Sequence, residues 1–364
     1  MVDITKIDKN FAVATKVERD NLCYYDMEQE PFRIYGVKKE NGKFRRLPEE
    51  VAVRVNDGVY SLHTNTAGGR VRFVTDSPFV AIHALIEDIP SFGHMPITGA
   101  AGLDLYAREE GVEQYIGTFR PPYGMVGGFE SILDFEDKKE RVITINFPLY
   151  SSLTNLYIGL EQGASLKQAP AYTYETPVVS YGSSITQGGC ASRPGNCYQH
   201  FLTRQFDCDH WNLGFSGSAK AEDAIIDWIK QLEMSVFLYD YDHNAPNAAH
   251  LEATHEKMFQ AVREAQPDLP IIIMSRPKYY LNSDDKNRLK IIRATYEKAI
   301  AAGDKNVYFI DGPTLMADIK DNGTVDNCHP SDSGFVSMAR AIAPVLGAIL
   351  RKRNCSELRS SQLR

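Results

Sequence analysis

Five short strand-like segments in the second half of the chain alternate with segments of helical spacing. The strand-like runs are 177–182, 210–215, 235–241, 270–275 and 306–311, and the helical patterns lie near 196–206, 220–232, 247–266, 284–302 and 334–352. No other feature narrows the fold as much. A strand, a helix and a second strand in one sheet form a right-handed crossover, and a run of such units builds a parallel sheet covered by helices. The expected architecture is a three-layer, flavodoxin-like α/β domain with five parallel strands.

The first half reads differently. Short runs rich in β-branched and aromatic residues recur at 32–37, 58–64, 69–75, 79–86, 101–107, 113–119, 127–134, 140–147 and 154–160. Turn signals such as Asn56-Asp57-Gly58 and Ala67-Gly68-Gly69 punctuate them. Many short strands with close turns point to a β-sandwich of jelly-roll type. Gly, Pro and Thr interrupt both patterns across 163–176. The expectation is therefore an all-β accessory domain over 1–168 and an α/β domain over 169–364, which suits a chain of 364 residues.

Composition excludes several classes. A net charge of −7 without basic blocks argues against nucleic acid as a partner. No run of eighteen apolar residues exists, so no membrane span is expected. The first thirty residues lack the apolar core of a secretory signal, which points to the cytoplasm and to reduced thiols for the six cysteines. Zinc held by Cys190, Cys197 and Cys208 would need spacings that match no common pattern, so part-buried thiols are the plainer reading. No metal and no cofactor are expected.

In open parallel sheets, sites form at the carboxyl ends of strands. The first such loop is Tyr181-Gly182-Ser183-Ser184-Ile185-Thr186-Gln187-Gly188-Gly189. A serine there is either a nucleophile against backbone amides or an ordinary helix cap. The second loop, Phe215-Ser216-Gly217-Ser218, lets backbone approach a ligand or simply turns tightly. The third, Asp240-Tyr241-Asp242-His243-Asn244, places polar side chains after an apolar strand, where they need partners; a side-chain amide there can serve an oxyanion, and the acids and histidine can also be read as metal ligands. Before the last helix stands Asp326-Asn327-Cys328-His329. A serine nucleophile needs a neutral imidazole to take its proton and a carboxylate to orient that imidazole. Each feature is weak alone; their joint order along one βα domain is specific.

Over about residues 176–352 these blocks resemble the SGNH hydrolases, also called the GDSL esterase/lipase superfamily. Gly182-Ser183-Ser184-Ile185-Thr186 is similar to the family's serine block, with Ser183 where an Asp is usual, and implies Ser184 as nucleophile. Gly217 and Asn244 match the oxyanion glycine and asparagine, although the surrounding Asp-His-Asn-Ala departs from the common Gly-x-Asn-Asp. Asp326 and His329 match the final block. In the first half, Gly102-Leu103-Asp104-Leu105-Tyr106 resembles the Gly-x-Asp-Leu-Tyr signature of a β-domain that precedes some SGNH esterases. That subgroup includes carbohydrate acetylesterase-like enzymes and an acyltransferase.

The resemblance implies a carboxylic ester hydrolase acting on short-chain esters, acetyl first, of a polar alcohol such as a carbohydrate. An acyltransferase using the same triad is the alternative. The partner is then an acylated small molecule or oligosaccharide, with homo-oligomer formation left open. Three residues are candidates for substrate contact, each with a structural counter-reading. His243 either donates to a leaving-group hydroxyl or makes a structural hydrogen bond. Arg193 and Arg276 either bind substrate oxygens or pair with nearby carboxylates.

Overall fold

A computed structural model describes the backbone of residues 16–362 and the side chains as far as residue 353. The chain forms two compact units. The first holds residues 16–44, 64–170 and 192–195; the second holds 45–63, 171–191 and the chain from 196 onward. The single division expected near 168 is thus interrupted by two short excursions.

The first unit is an antiparallel two-sheet sandwich. One sheet has the order β1 (Leu22–Asp26), β11 (Ser152–Glu161), β6 (Phe79–Glu87) and β9 (Gly128–Asp134). The other runs β12 (Leu166–Lys167), β5 (Arg70–Thr75), β10 (Arg141–Asn146), β7 (Leu103–Glu109) and β8 (Val112–Phe119), with β2 (Arg33–Tyr35) also pairing with β5. A hairpin of β3 (Lys38–Glu40) and β4 (Lys43–Arg45) stands apart from both sheets. Strand alternation explains the core. Val80, Ile82, Ala84 and Ile86 of β6 join Val71 and Phe73 of β5 and Ile143 and Ile145 of β10 in one cluster. The intervening Arg70 and Arg72 point the other way and donate to the carbonyls of Gly68 and Pro170.

The second unit contains a parallel sheet of order β14-β13-β15-β16-β17. Its strands are β13 (Tyr174–Gly182), β14 (Cys208–Gly214), β15 (Val236–Asp240), β16 (Ile271–Met274) and β17 (Val307–Ile310). The chain starts one strand in from an edge, steps to that edge and then builds outward to the other, which is the flavodoxin-like order. Strands and helices fall close to the expected ranges, because a buried parallel strand is a continuous apolar run and is easily read. The last helix, Asp332–Gln362, is long and apolar enough by length and composition to cross a bilayer over Asp332–Arg353. Its Phe335, Met338, Ile342, Leu346 and Leu350 recur at helical spacing and are buried, as in a core helix of a folded domain.

One expected strand is a helix. Residues 58–64 fall within and after the helix Asp57–Leu62, which follows the helix Glu49–Val55. Asn56, read from sequence as part of a turn, caps the second helix by accepting the Val59 N–H. Val51 and Val55 of the first helix, Val59 and Leu62 of the second, and Leu47 just before them pack into the core of the α/β unit. The β-branched valines masked the helical period.

Candidate active site

Ser184 opens the short helix Ser184–Gln187 directly after β13. Ser183, standing where an Asp is usual in the resembled block, caps this helix by accepting the Ile185 N–H at 3.1 Å. The Ser184 side chain is nearly buried, and its Oγ lies 2.9 Å from His329 Nε2. His329 Nδ1 lies 2.8 Å from Asp326 Oδ2. Since an ionised carboxylate only accepts, Nδ1 carries the ring proton, and Nε2 accepts from the serine hydroxyl.

Local structure makes the Asp-x-x-His spacing work. Thr324 and Pro330 pair across a small loop, where Val325 N–H donates to the His329 carbonyl at 2.8 Å. Within the loop, Asp326 Oδ1 accepts the backbone N–H groups of Cys328 at 3.1 Å and His329 at 2.7 Å. Burial pushes the Asp326 carboxyl up. The His329 N–H, the imidazole and the Cys328 N–H outweigh that effect and hold it below the usual carboxylate range. Asp326 is therefore a carboxylate near neutral pH.

The two other expected loops come together beside the Ser184–Gln187 helix. Ser218 N–H donates to the Phe215 carbonyl at 2.9 Å, closing a turn in which Gly217 adopts φ +67°. That left-handed conformation favours glycine. Gln187, buried in the helix that Ser184 opens, accepts the Ser216 N–H at 2.9 Å, so the helix and the glycine loop are fixed to each other. Asn244 Nδ2 donates one hydrogen bond to the Phe215 carbonyl at 2.8 Å. A primary amide has two N–H groups, so the second remains to serve a ligand. Gln187 was not singled out from the sequence; its signal would have been a polar residue on the buried face of the helix that Ser184 opens.

The GDSL-like lipase/acylhydrolase family matches residues 175–347, and the family described as the N-terminus of SGNH-hydrolase-type esterases matches residues 22–166. The chain belongs to the GDSL-like lipase/acylhydrolase family. A protein from Bacteroides ovatus described as a GDSL-like lipase is 27% identical, with a TM-score of 0.82, over 91% of this chain and 98% of its own. The salicylyl-acyltransferase SsfX3 of a tetracycline biosynthetic pathway is 19% identical, with a TM-score of 0.73, over 91% and 98%. The acetyl xylan esterase Est2A of Butyrivibrio proteoclasticus is 13% identical, with a TM-score of 0.57, over 90% and 98%. The last two likenesses are of fold. No curated protein matches the chain.

In this GDSL-family chain the three substrate-contact candidates have defined partners. Arg276 is committed to carboxylates. Its backbone N–H and Nε donate to Asp242 Oδ2 at 3.1 and 3.3 Å, and another guanidinium nitrogen donates to Asp285 Oδ1 at 2.9 Å. Arg288 also pairs with Asp242 at 3.4 Å and donates to the Ala245 carbonyl at 3.1 Å. The network fixes the turn that carries His243 and Asn244. Asp242 is 1% exposed, so Asp242→Ala leaves the buried Arg288 and the part-buried Arg276 short of a counter-charge. It is expected to destabilise the protein by about 3–5 kcal/mol in urea denaturation. A change below about 1 kcal/mol would show that the network is energetically idle.

Arg193 belongs to the first unit, where it donates to Asp104 Oδ2 at 2.8 Å and to the Tyr106 hydroxyl and lies 3.8 Å over the Tyr115 ring. The Gly-x-Asp-Leu-Tyr signature thereby gains a physical role. Its fully buried Asp104 also accepts from Gly195 N–H and Asn146 Nδ2, at 2.8 and 2.9 Å, fixing the excursion 192–195.

His243 is half-buried, with Nδ1 3.8 Å from Cys328 Sγ. Burial, with Arg276 and His329 nearby, pushes its pKa down to about 3, so the ring is neutral at working pH. Burial likewise raises the Cys328 thiol, and it pushes Cys190 up to about 12 with help from Asp326 and Cys328. Neither cysteine is a thiolate nucleophile near neutral pH. Among the described residues, Cys190, Cys197 and Cys208 do not gather as a metal site, whereas Asp326, Cys328 and His329 bring ligand atoms within 4.8 Å of one another. Two of those three are already hydrogen bonded to each other.

Proposed function

We propose that this GDSL-family chain is a serine esterase that removes short acyl groups, acetyl first, from a polar alcohol, with an acylated carbohydrate as substrate class. The reading rests on the continuous hydrogen-bond chain from Ser184 through His329 to Asp326. His329 Nε2 takes the hydroxyl proton as Ser184 Oγ attacks the ester carbonyl. Asp326 holds the ring tautomer and stabilises the imidazolium. The backbone amides of Ser184 and Gly217 and the free N–H of Asn244 receive the developing oxyanion. The proton on His329 passes to the departing alcohol, and the acyl group stays on Ser184. A water, deprotonated by the same imidazole, then releases the acid.

Short acyl groups are favoured because the strand-end loops are rich in Gly, Ser, Asn and Asp and lack long apolar runs. The test is a panel of acetylated mono- and oligosaccharides set against aryl esters of increasing chain length. The expected result is free acetate from the sugar esters and falling rates with longer chains. A rise in rate with chain length would overturn the short-acyl assignment. Product analysis with added alcohol separates hydrolysis from transfer, since ester formation at the expense of free acid would make the chain an acyltransferase.

A further inference from the structure

The excursion 45–63 places a buried arginine behind the glycine loop. Arg46 is 0% exposed. Its Nη1 donates to the carbonyls of Asn212 at 3.1 Å and Gly214 at 2.6 Å, and its Nη2 donates to the Leu62 carbonyl at 2.8 Å. The guanidinium also lies 4.7 Å over the Phe215 ring. Its own backbone is fixed from both sides: Arg46 N–H donates to the His63 carbonyl at 2.9 Å, and Trp211 Nε1 donates to the Arg46 carbonyl at 2.8 Å. The same excursion reaches the far side of the loop. Asn56 Nδ2 donates to the Ser218 carbonyl at 2.9 Å, and a Cβ at Gly58 would stand 2.0 Å from Ser218 Oγ.

These contacts bracket one short segment. Asn212, Gly214 and Phe215 precede Gly217, and Ser218 follows it. Phe215 is also the residue whose carbonyl takes the Asn244 amide. A guanidinium in the interior is held in place by the acceptors it needs, and its planar fork fixes their directions. Oxyanion donors must stand within a few tenths of an ångström of where charge develops, because they gain most when no reorganisation is needed.

We propose that Arg46 is a positioning residue of the oxyanion loop: through the end of β14 and the Phe215 ring it sets the direction of the Gly217 amide and of Asn244. This rests on the esterase reading above. It acts through the loop and does not touch substrate.

The test compares Arg46→Lys and Arg46→Met with the parent protein, using an aryl acetate and a fluorophosphonate. In the labelling reaction Ser184 Oγ bonds to phosphorus, the P–F bond breaks, fluoride leaves and the serine proton goes to His329. The phosphoryl oxygen then occupies the place of the oxyanion. Both variants are expected to lose about tenfold or more in kcat with KM within about threefold, and to lose the same factor in labelling rate. A merely structural arginine would alter the folded fraction and leave the rates per folded molecule unchanged. Folded variants within about twofold of the parent in both rates would overturn the proposal. Should neither variant fold, Phe215→Leu decides: it removes the ring and keeps the backbone. A fall of about threefold or more in kcat and labelling supports the role, and a smaller change overturns it. A parent protein that is not labelled at Ser184 would overturn the esterase reading and this inference with it. Unchanged labelling in the variants overturns this inference alone.

Discussion

Ser184→Ala is expected to lower kcat on an aryl acetate by roughly ten-thousandfold or more while leaving the circular dichroism spectrum unchanged. The methyl group that replaces the hydroxyl cannot attack a carbonyl, and His329 then has only water to activate. The oxyanion donors and the binding surface remain, so a residual rate above that of free solution should survive. His329→Ala should lose a comparable factor, and the double variant should lose little more, because the two residues act as one unit 2.9 Å apart. Ser184→Ala retaining most of its activity would remove the nucleophile assignment and with it the mechanism.

A fragment covering 171–364 is expected not to fold, despite carrying the whole parallel sheet together with Ser184, Asp326 and His329. It lacks 45–63, and with it Leu47, Val51 and Val59, which are 1%, 3% and 1% exposed in the core of the α/β unit. Burial of three such side chains is worth about 5–9 kcal/mol, against a typical total stability of about 5–15 kcal/mol. Arg46 and its bonds to the carbonyls of Asn212 and Gly214 go as well. Urea denaturation monitored by tryptophan emission tests this directly, since Trp211 loses its Arg46 partner in the fragment. A cooperative transition with the midpoint of the full chain would show that the excursion contributes little.

Much of the α/β half was legible because its signals are local. Most of the parallel strands are short, largely apolar runs (β14, with Asp209, His210 and Asn212, is the exception), each following helix repeats its apolar residues at helical spacing, and each polar loop falls where the two patterns meet. Ser184, Gly217, Asn244, Asp326 and His329 stand out for that reason, and their loops are adjacent because a parallel sheet brings all its carboxyl ends to one edge. Arg193 and Arg276 were legible as polar residues near strand ends, but the choice between binding a substrate and pairing with a carboxylate was not. Asp104 lies 89 residues from Arg193, and Arg276 divides its charge between Asp242, 34 residues away, and Asp285, nine residues away. The helix Asp57–Leu62 was hidden because valine serves both a strand and a buried helical face, and Asn-Asp-Gly reads equally as a turn and as a cap.

The sequence by itself determined the two architectures, the order of the parallel strands' loops and the residue types at their ends, since these follow from periodicity and from a strand's fixed direction. Tertiary structure decided which unit residues 45–63 complete, which carboxylate each arginine answers, and which buried group stands behind the glycine loop. Those outcomes depend on contacts between residues far apart in the chain. A buried charge selects its partners by the geometry of the folded interior, and no local pattern records it.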